Sequence, residues 1–250
     1  MIKNFAKKII PMRSRRFIRR LEKRIFGLDY KYKNMSNEHL FDSIYLNHIW
    51  GTGQEGNGIS GSGSHEQYIV GPYVNAVREI LRENKIETIV DLGCGDFNVG
   101  SQFVDCCVNY VACDISKTII EINKKRFNSK KVEFRQLDLT MDKLPSGEIG
   151  ILRQVLQHLS NADIKRFVAR LNQEQNFKYL LVTEHLPDIA QFEPNLDKRS
   201  GPNIRIDIKS GVILHEPPFL LRCKSAQEIL LVRKDVNNIP AVIKTTFYKF

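Results

Sequence analysis

Residues 86–98 read IETIVDLGCGDFN, an apolar run of strand length that ends in a glycine-rich turn. A glycine turn at the carboxyl end of a first strand lets a ligand approach the backbone closely. The dinucleotide pattern G-x-G-x-x-G fails here, because its third glycine position is Asn98. Instead Asp91 precedes Gly93 and Gly95, and a carboxylate there suits a ligand that carries an amino group. The stretch therefore predicts the first strand of an α/β sheet with a ligand site at its carboxyl edge.

Strand-like and helical stretches alternate around this turn. Residues 66–83 have helical character, and beyond the turn the sequence predicts strands at 108–114, 131–138, 148–154 and 177–185 and helices at 116–127 and 161–173. Such alternation predicts a parallel sheet with helices on both faces. The last two strand-like runs, 226–235 and 240–250, are separated only by Val-Asn-Asn-Ile, which is too short for a helical crossover. They should pair as an antiparallel hairpin.

Acidic residues end the second and third strands as well. Asp114 closes VACD about 20 residues beyond the glycine turn, where a carboxylate can accept both hydroxyls of a ribose. Asp138 closes RQLD and suits a hydrogen bond to an adenine amino group. Carboxylates at the ends of three successive strands share one sheet edge, which makes a structural coincidence a weaker explanation than a nucleoside site.

These motifs together resemble the class I S-adenosylmethionine-dependent methyltransferases. DLGCGD, VACDIS, RQLDL and ILRQVLQHLS are similar to the family's successive motifs, and the match covers roughly residues 66–186. The resemblance implies a Rossmann-like α/β fold, mainly a parallel seven-stranded sheet with a C-terminal antiparallel hairpin, and S-adenosyl-L-methionine as cofactor. The cofactor-binding residues that it implies are Asp91, Gly93, Gly95, Asp114, Ile115, Asp138, Leu139 and Gln154.

A finer resemblance concerns the methyl acceptor. SIYLNHIWG, GSGS, DLGCGDFN, QHLS and SGVILHEPPF look like a bacterial group of methyltransferases associated with surface-polysaccharide biosynthesis. This implies O-methylation of a sugar or of a small sugar-linked group, with a glycan precursor as substrate. EHLPDIAQFEPNLDKRSGPN, residues 184–203, departs from the pattern and leaves the acceptor open. The alternatives are another small metabolite, a lipid-linked precursor, or a catalytically silent module that binds adenosylmethionine.

A hydroxyl acceptor benefits from a general base, and two sites offer one. His158 lies one turn beyond Arg153-Gln154 at the end of the fourth strand, and Glu184-His185 ends the fifth strand. We expect both sites to face the methyl group, although a packing role for His158 and a loop role for His185 are the alternatives.

Two features lie before the main domain. Trp50 is the only tryptophan, and it either stacks on a sugar or adenine ring or anchors the N-terminal segment in the core. Residues 51–64, GTGQEGNGISGSGS, form either a plain linker or a lid over the ligand.

The positive charge is concentrated at the N-terminus. The formal net charge of the chain is +10. Residues 1–28 contain ten basic residues and one acidic residue, Glu22, so the rest of the chain is nearly neutral. A neutral body argues against a nucleic-acid substrate. Phe17, Ile18, Leu21, Ile25 and Leu28 recur at helical spacing, so residues 12–28 predict a basic amphipathic helix. Such a helix suits an anionic membrane surface, or it packs on the domain or on a partner subunit.

The remaining composition bounds the setting. The five cysteines are odd in number and contain no C-x-x-C pair, so the sequence predicts neither a metal site nor a disulfide framework. No apolar run approaches the roughly 18 residues of a membrane span. We therefore expect a cytoplasmic protein, peripheral at the inner membrane face if the arm binds lipid. The predicted organisation is an arm (1–28), an N-terminal segment with the glycine-rich loop (29–65) and a methyltransferase domain (66–250).

Overall fold

A computed structural model describes residues 27–127 and 129–250 of the chain. These residues form one seven-stranded sheet in the order β3-β2-β1-β4-β5-β7-β6. Strands β1 to β5 are parallel, whereas β7 runs antiparallel to both β5 and β6. The predicted fold is confirmed, and the strands are β1 Thr88–Leu92, β2 Asn109–Asp114, β3 Val132–Gln136, β4 Ile149–Arg153, β5 Tyr179–Pro187, β6 Ser225–Arg233 and β7 Ala241–Lys249.

The hairpin of β6 and β7 follows from its turn. Asn237 and Asn238 both adopt positive φ, 51° and 64°, and Val236 and Ile239 form an antiparallel bridge around them. Two consecutive residues in the left-handed region match the twist of the flanking strands, and asparagine tolerates that conformation. The turn therefore directs β7 back into the sheet, where it pairs with β5 along its whole length.

Helices cover the sheet and have clear start signals. The α-helices are α1 Asn37–Leu46, α2 Gln67–Glu83, α3 Lys117–Arg126 and α4 Asn161–Glu174. Ser36, Ser116 and Ser160 are the N-caps of α1, α3 and α4, and each side chain accepts a backbone N–H of the first turn. Their apolar stripes pack into the two core clusters on either face of the sheet.

Helix α1 is absent from the sequence prediction. Leu40, Phe41, Ile44 and Tyr45 are buried at helical spacing, and the helix packs against α3. The chain between β1 and β2 also differs from simple α/β alternation, because it forms a 3-10 segment, Gly100–Cys106, instead of an α-helix. Both departures bring additional chain close to the carboxyl edge of the sheet.

The basic arm lies outside the described residues except for Gly27 and Leu28. Neither of these two is helical, and Leu28 is buried. The proposed division at residues 28 and 65 therefore stays a prediction. None of the helices in the described ranges is long and apolar enough to cross a membrane.

A long irregular segment, residues 188–224, connects β5 to β6 and is held by buried charges. Arg205 is 1% exposed and donates to the carbonyls of Leu156, Leu159 and Leu196. Lys198 forms a buried ion pair with Asp29, with Nζ and Oδ2 3.1 Å apart. The Arg205 bonds fasten this segment to the turn that follows β4.

Candidate functional site

A cleft of about 1080 Å³, including its open mouth, lies at the carboxyl edge of β1 to β4. This is the edge where parallel α/β sheets bind ligands. The structure brings to its lining every cofactor residue that the sequence analysis named: Asp91, Gly93, Gly95, Asp114, Ile115, Asp138, Leu139 and Gln154.

The turn after β1 requires its two glycines. Gly93 and Gly95 have φ of 90° and 55°, a region that side chains with a Cβ rarely adopt. A Cβ on Gly93 would overlap Val155, and one on Gly95 would overlap the Ser60 hydroxyl. The bare backbone is therefore what lets the loop that precedes α2 and the chain that follows β4 close around the turn.

Two buried carboxylates form the floor. Asp91 accepts a hydrogen bond from the Tyr110 hydroxyl at 2.9 Å, and burial raises the pKa of Asp91 to about 7. Asp114 accepts the backbone N–H groups of Gly95 and Ser116 at 3.0 and 2.9 Å, while burial raises its pKa to about 6. Ionised carboxylates in such a place need a partner that supplies charge or hydrogen-bond donors.

The third carboxylate is more exposed. Asp138 accepts both the backbone N–H and the hydroxyl of Thr140 through Oδ1, at 2.8 and 2.7 Å. The apolar side chains of Ile115 and Leu139 also line the cleft. This end of the cleft therefore offers a polar edge and apolar side chains, as a flat heteroaromatic ring would require.

The glycine-rich loop lies against the cleft. Ser60 and Asp96 bond in both directions, since Ser60 N–H donates to Oδ2 of Asp96 at 2.9 Å and Asp96 N–H donates to the Ser60 hydroxyl at 2.8 Å. His65 Nε2 lies 2.7 Å from the same Oδ2, and that bond raises the pKa of His65. Asn98, at the missing third glycine, donates to the Ser64 carbonyl at 2.6 Å. These contacts fit a lid better than a plain linker.

His158 lines the cleft and is held in one orientation. Its Nδ1 lies 3.2 Å from the Gly201 carbonyl, so Nδ1 carries the proton and Nε2 is the acceptor atom. Nε2 lies 3.3 Å from the Gln157 side-chain amide. Burial, with the nearby Lys198 charge, lowers the pKa of His158 to about 3. The imidazole is therefore neutral throughout the physiological pH range.

Glu184 and His185 do not line the cleft, so the expectation that they face the transferred group is not met. The Glu184 carboxylate instead accepts the backbone N–H groups of residues 155, 156 and 157 at 3.2, 2.9 and 3.0 Å. His185 lies behind the lining glutamines, with Nδ1 3.0 Å from Oε1 of Gln157. Both residues support the turn after β4. The backbone N–H groups of this turn donate to Glu184, and a buried carboxylate requires such donors.

The sequence analysis missed some residues that line the cleft and left the role of Trp50 open. Trp50 lines the cleft with its ring centroid 4.8 Å from that of His158, and it also packs on Phe41 and Tyr45 of α1. It therefore belongs to both the site and the core. The apolar spacing of residues 40–45 was the available signal for α1. No comparable signal in the sequence marks Tyr73, another lining residue.

Neither the cysteines nor potential metal-binding side chains form a second site in the part of the chain that the structure describes. All five cysteines are free, and Cys107 and Cys113 are buried. Within residues 27–127 and 129–250 no group of histidine, cysteine, aspartate and glutamate side chains could hold a metal ion.

Comparison with known proteins agrees with this geometry. Residues 89–173 match the family model described as a methyltransferase domain. The chain contains a methyltransferase domain. No curated protein sequence matches the chain.

Solved structures with the same fold are distant in sequence. The N-methyltransferase NodS from Bradyrhizobium japonicum WM9, in complex with S-adenosyl-L-homocysteine, is 9% identical, with a TM-score of 0.54 over 75% of this chain and 90% of that one. Magnesium protoporphyrin IX methyltransferase from Synechocystis PCC 6803, with bound SAM, is 13% identical, with a TM-score of 0.51 over 87% and 99%. The N-terminal domain of EvdMO1, in the presence of S-adenosyl-L-homocysteine and D-fucose, is 11% identical, with a TM-score of 0.51 over 87% and 98%. At these identities the likeness shows the fold.

Replacing Glu184 with glutamine tests its structural role. One side-chain oxygen becomes an NH₂ group that faces backbone N–H donors, so Glu184→Gln should lower the free energy of unfolding by about 1–3 kcal/mol. Chemical denaturation monitored by circular dichroism measures this. Glu228→Gln, on the more exposed side chain that pairs with Lys244, is the matched control and should be near neutral. Wild-type stability in Glu184→Gln would contradict the role.

Proposed function

We propose that this chain transfers a methyl group from S-adenosyl-L-methionine to a hydroxyl of a sugar, or of a small sugar-linked group, in surface-glycan biosynthesis. The observation that carries the proposal is the composition of one cleft. The cleft is lined by three strand-end carboxylates and by a neutral histidine beside a tryptophan.

The residues present fit the cofactor. Asp91 offers a buried acceptor for the amino group, and Asp114 offers one for the ribose hydroxyls. Asp138, with Ile115 and Leu139 beside it, suits the adenine ring. The positive φ of Gly93 and Gly95 gives the backbone the shape that a close-packed ligand requires.

When bound, the sulfonium would supply an activated methyl group, which the acceptor oxygen would take by in-line attack with the neutral thioether as the leaving group. The chain's main task is to position the acceptor. Nε2 of His158, held by the Gly201 carbonyl at the far side of the ring, accepts the hydroxyl proton. A weak base suffices, because the proton becomes strongly acidic once the oxygen–carbon bond forms.

The wall around His158 supports a sugar-like acceptor. The Trp50 ring offers an apolar face next to the proton-accepting nitrogen, and the side chains of Asn37 and Gln157 line the same cleft. An aromatic face with polar neighbours suits a ring that has one apolar side and several hydroxyls. The presence of D-fucose in the EvdMO1 structure is consistent with this acceptor class.

The base is tested by His158→Gln. Turnover with labelled methyl donor and glycan or nucleotide-sugar extracts should fall about 10²- to 10⁴-fold, since a positioned proton acceptor is lost. The cofactor dissociation constant should stay unchanged. His39→Gln, an exposed histidine on α1 outside the cleft, is the control.

With the cofactor at saturation, wild-type turnover should also lack an inflection from His158 near pH 6.5, because burial keeps the pKa of His158 at about 3. Full turnover in His158→Gln would remove the proposed base. Transfer that is confined to non-sugar acceptors would favour the small-metabolite alternative.

We further propose that the basic arm binds an anionic membrane surface and so brings the enzyme to a glycan precursor at the inner face. Residues 1–28 carry the excess charge. Two further basic residues, Lys33 and Arg199, flank the Tyr30 ring in the described structure, at 4.4 and 5.8 Å from its centroid. Arg199 directly follows Lys198, whose ammonium donates to the His158 carbonyl at 3.2 Å, so the basic surface adjoins the acceptor side of the cleft.

Charge-neutral variants of the full chain test the arm. Each basic side chain near an anionic surface contributes about 1 kcal/mol, so glutamine at Arg15, Arg16, Arg19 and Arg20 should weaken binding to phosphatidylserine vesicles at least tenfold. High salt should have the same effect. The control removes equal charge elsewhere, with glutamine at Lys117, Lys124, Lys125 and Lys130. Equal vesicle binding by both variants in a co-sedimentation assay would reject the membrane role.

A further inference from the structure

Arg153, the last residue of β4, holds the glycine-rich loop from inside the cleft. Its Nη2 donates to the Gly63 carbonyl at 2.7 Å, and its Nη1 donates to the Ser64 hydroxyl at 3.1 Å. The guanidinium also lies over the Tyr73 ring, 4.9 Å from its centroid. One side chain therefore connects the sheet edge to the loop that covers it.

This arginine has no carboxylate partner. None of the ion pairs in the described part of the chain involves Arg153, and its Nε is buried without a hydrogen-bond partner there. Nε and the second hydrogen of Nη2 form the side-on edge that pairs with carboxylates in two parallel bonds. A half-buried guanidinium whose buried Nε is unused is costly unless a ligand supplies the anion.

Asp91 is the complementary case. It is 6% exposed, and its hydrogen bond in the described structure comes from the neutral Tyr110 hydroxyl instead of a cation. Asp91 pairs in register with Ile151, two residues before Arg153, so all three side chains point to the same face of the sheet. Asp91 and Arg153 thus lie on adjacent strands of the cleft, where their charges attract each other without forming a direct ion pair.

We propose that Arg153 and Asp91 together bind the zwitterionic end of the cofactor, the guanidinium taking the α-carboxylate and Asp91 taking the α-ammonium. The assignment rests on the proposed cofactor and adds a residue that the sequence motifs do not supply. Because the same guanidinium bonds to Gly63 and Ser64, a bound carboxylate fixes Arg153 and thereby fixes the loop. Cofactor binding and closure of the loop are coupled through this side chain.

Decarboxylated S-adenosylmethionine separates the two charges, because it keeps the ammonium and lacks the carboxylate. Calorimetry on the full chain should show that the wild type binds S-adenosylmethionine at least tenfold more tightly than the decarboxylated form. Arg153→Gln should bind the two equally, with the affinity for the decarboxylated form unchanged. Asp91→Asn should weaken both. Arg233→Gln, on an exposed arginine of β6, is the matched control and should behave as the wild type.

The comparison of the two ligands on the wild type needs no variant, so it tests the assignment even if Arg153→Gln fails to fold. Equal wild-type affinity for the two ligands overturns the assignment of Arg153, whereas absence of binding by S-adenosylmethionine and S-adenosylhomocysteine overturns the proposed function itself. The coupling has its own measurement in hydrogen exchange of residues 60–65. S-adenosylmethionine should slow that exchange and the decarboxylated form should not, and equal protection by both overturns the coupling.

Discussion

Charged side chains without ion-pair partners, two of them buried carboxylates, lie at the carboxyl edge of the sheet, and they are the main physical constraint on this structure. Asp91 and Asp114 end adjacent parallel strands and are almost fully buried, which raises the pKa of both carboxyl groups. Backbone N–H groups and one tyrosine hydroxyl compensate them only in part. Arg153 is held nearby with an unused edge. Burying these groups costs free energy when the chain folds, and binding of a ligand with complementary charges offsets that cost. This edge of the sheet therefore has the properties of a ligand site.

A second set of buried groups holds the turn after β4 and the segment that follows β5 together. Glu184 binds three successive N–H groups of the turn after β4, and Arg205 binds two carbonyls of the same turn from the segment that follows β5. The Lys198–Asp29 pair ties that segment to the start of the described chain. His158 lies where these elements meet, and its Gly201 contact sets the tautomer. The orientation of the His158 ring is therefore set by residues distant in sequence.

This division explains what the sequence could predict. The sheet, the hairpin and the strand-end residues Asp91, Asp114 and Asp138 follow from local signals, since strand periodicity, turn chemistry and motif position all lie within a few residues. Glu184 was misplaced because an acidic residue near the carboxyl end of a strand has the same local pattern whether it faces a ligand or accepts the N–H groups of a neighbouring turn. The roles of Arg153 and of the contact between Trp50 and His158 depend on chain segments about 90 and 108 residues apart, which no local pattern encodes.

Calorimetric titration of the full chain with S-adenosylhomocysteine and with NAD, each at pH 8 and pH 6, tests the central claim most directly. We expect the chain to bind S-adenosylhomocysteine and not to bind NAD. We also expect an affinity about tenfold weaker at pH 6, because the raised pKa of Asp91, about 7, lets protons compete for the carboxylate that the ligand needs ionised. Binding of NAD without S-adenosylhomocysteine would contradict the account.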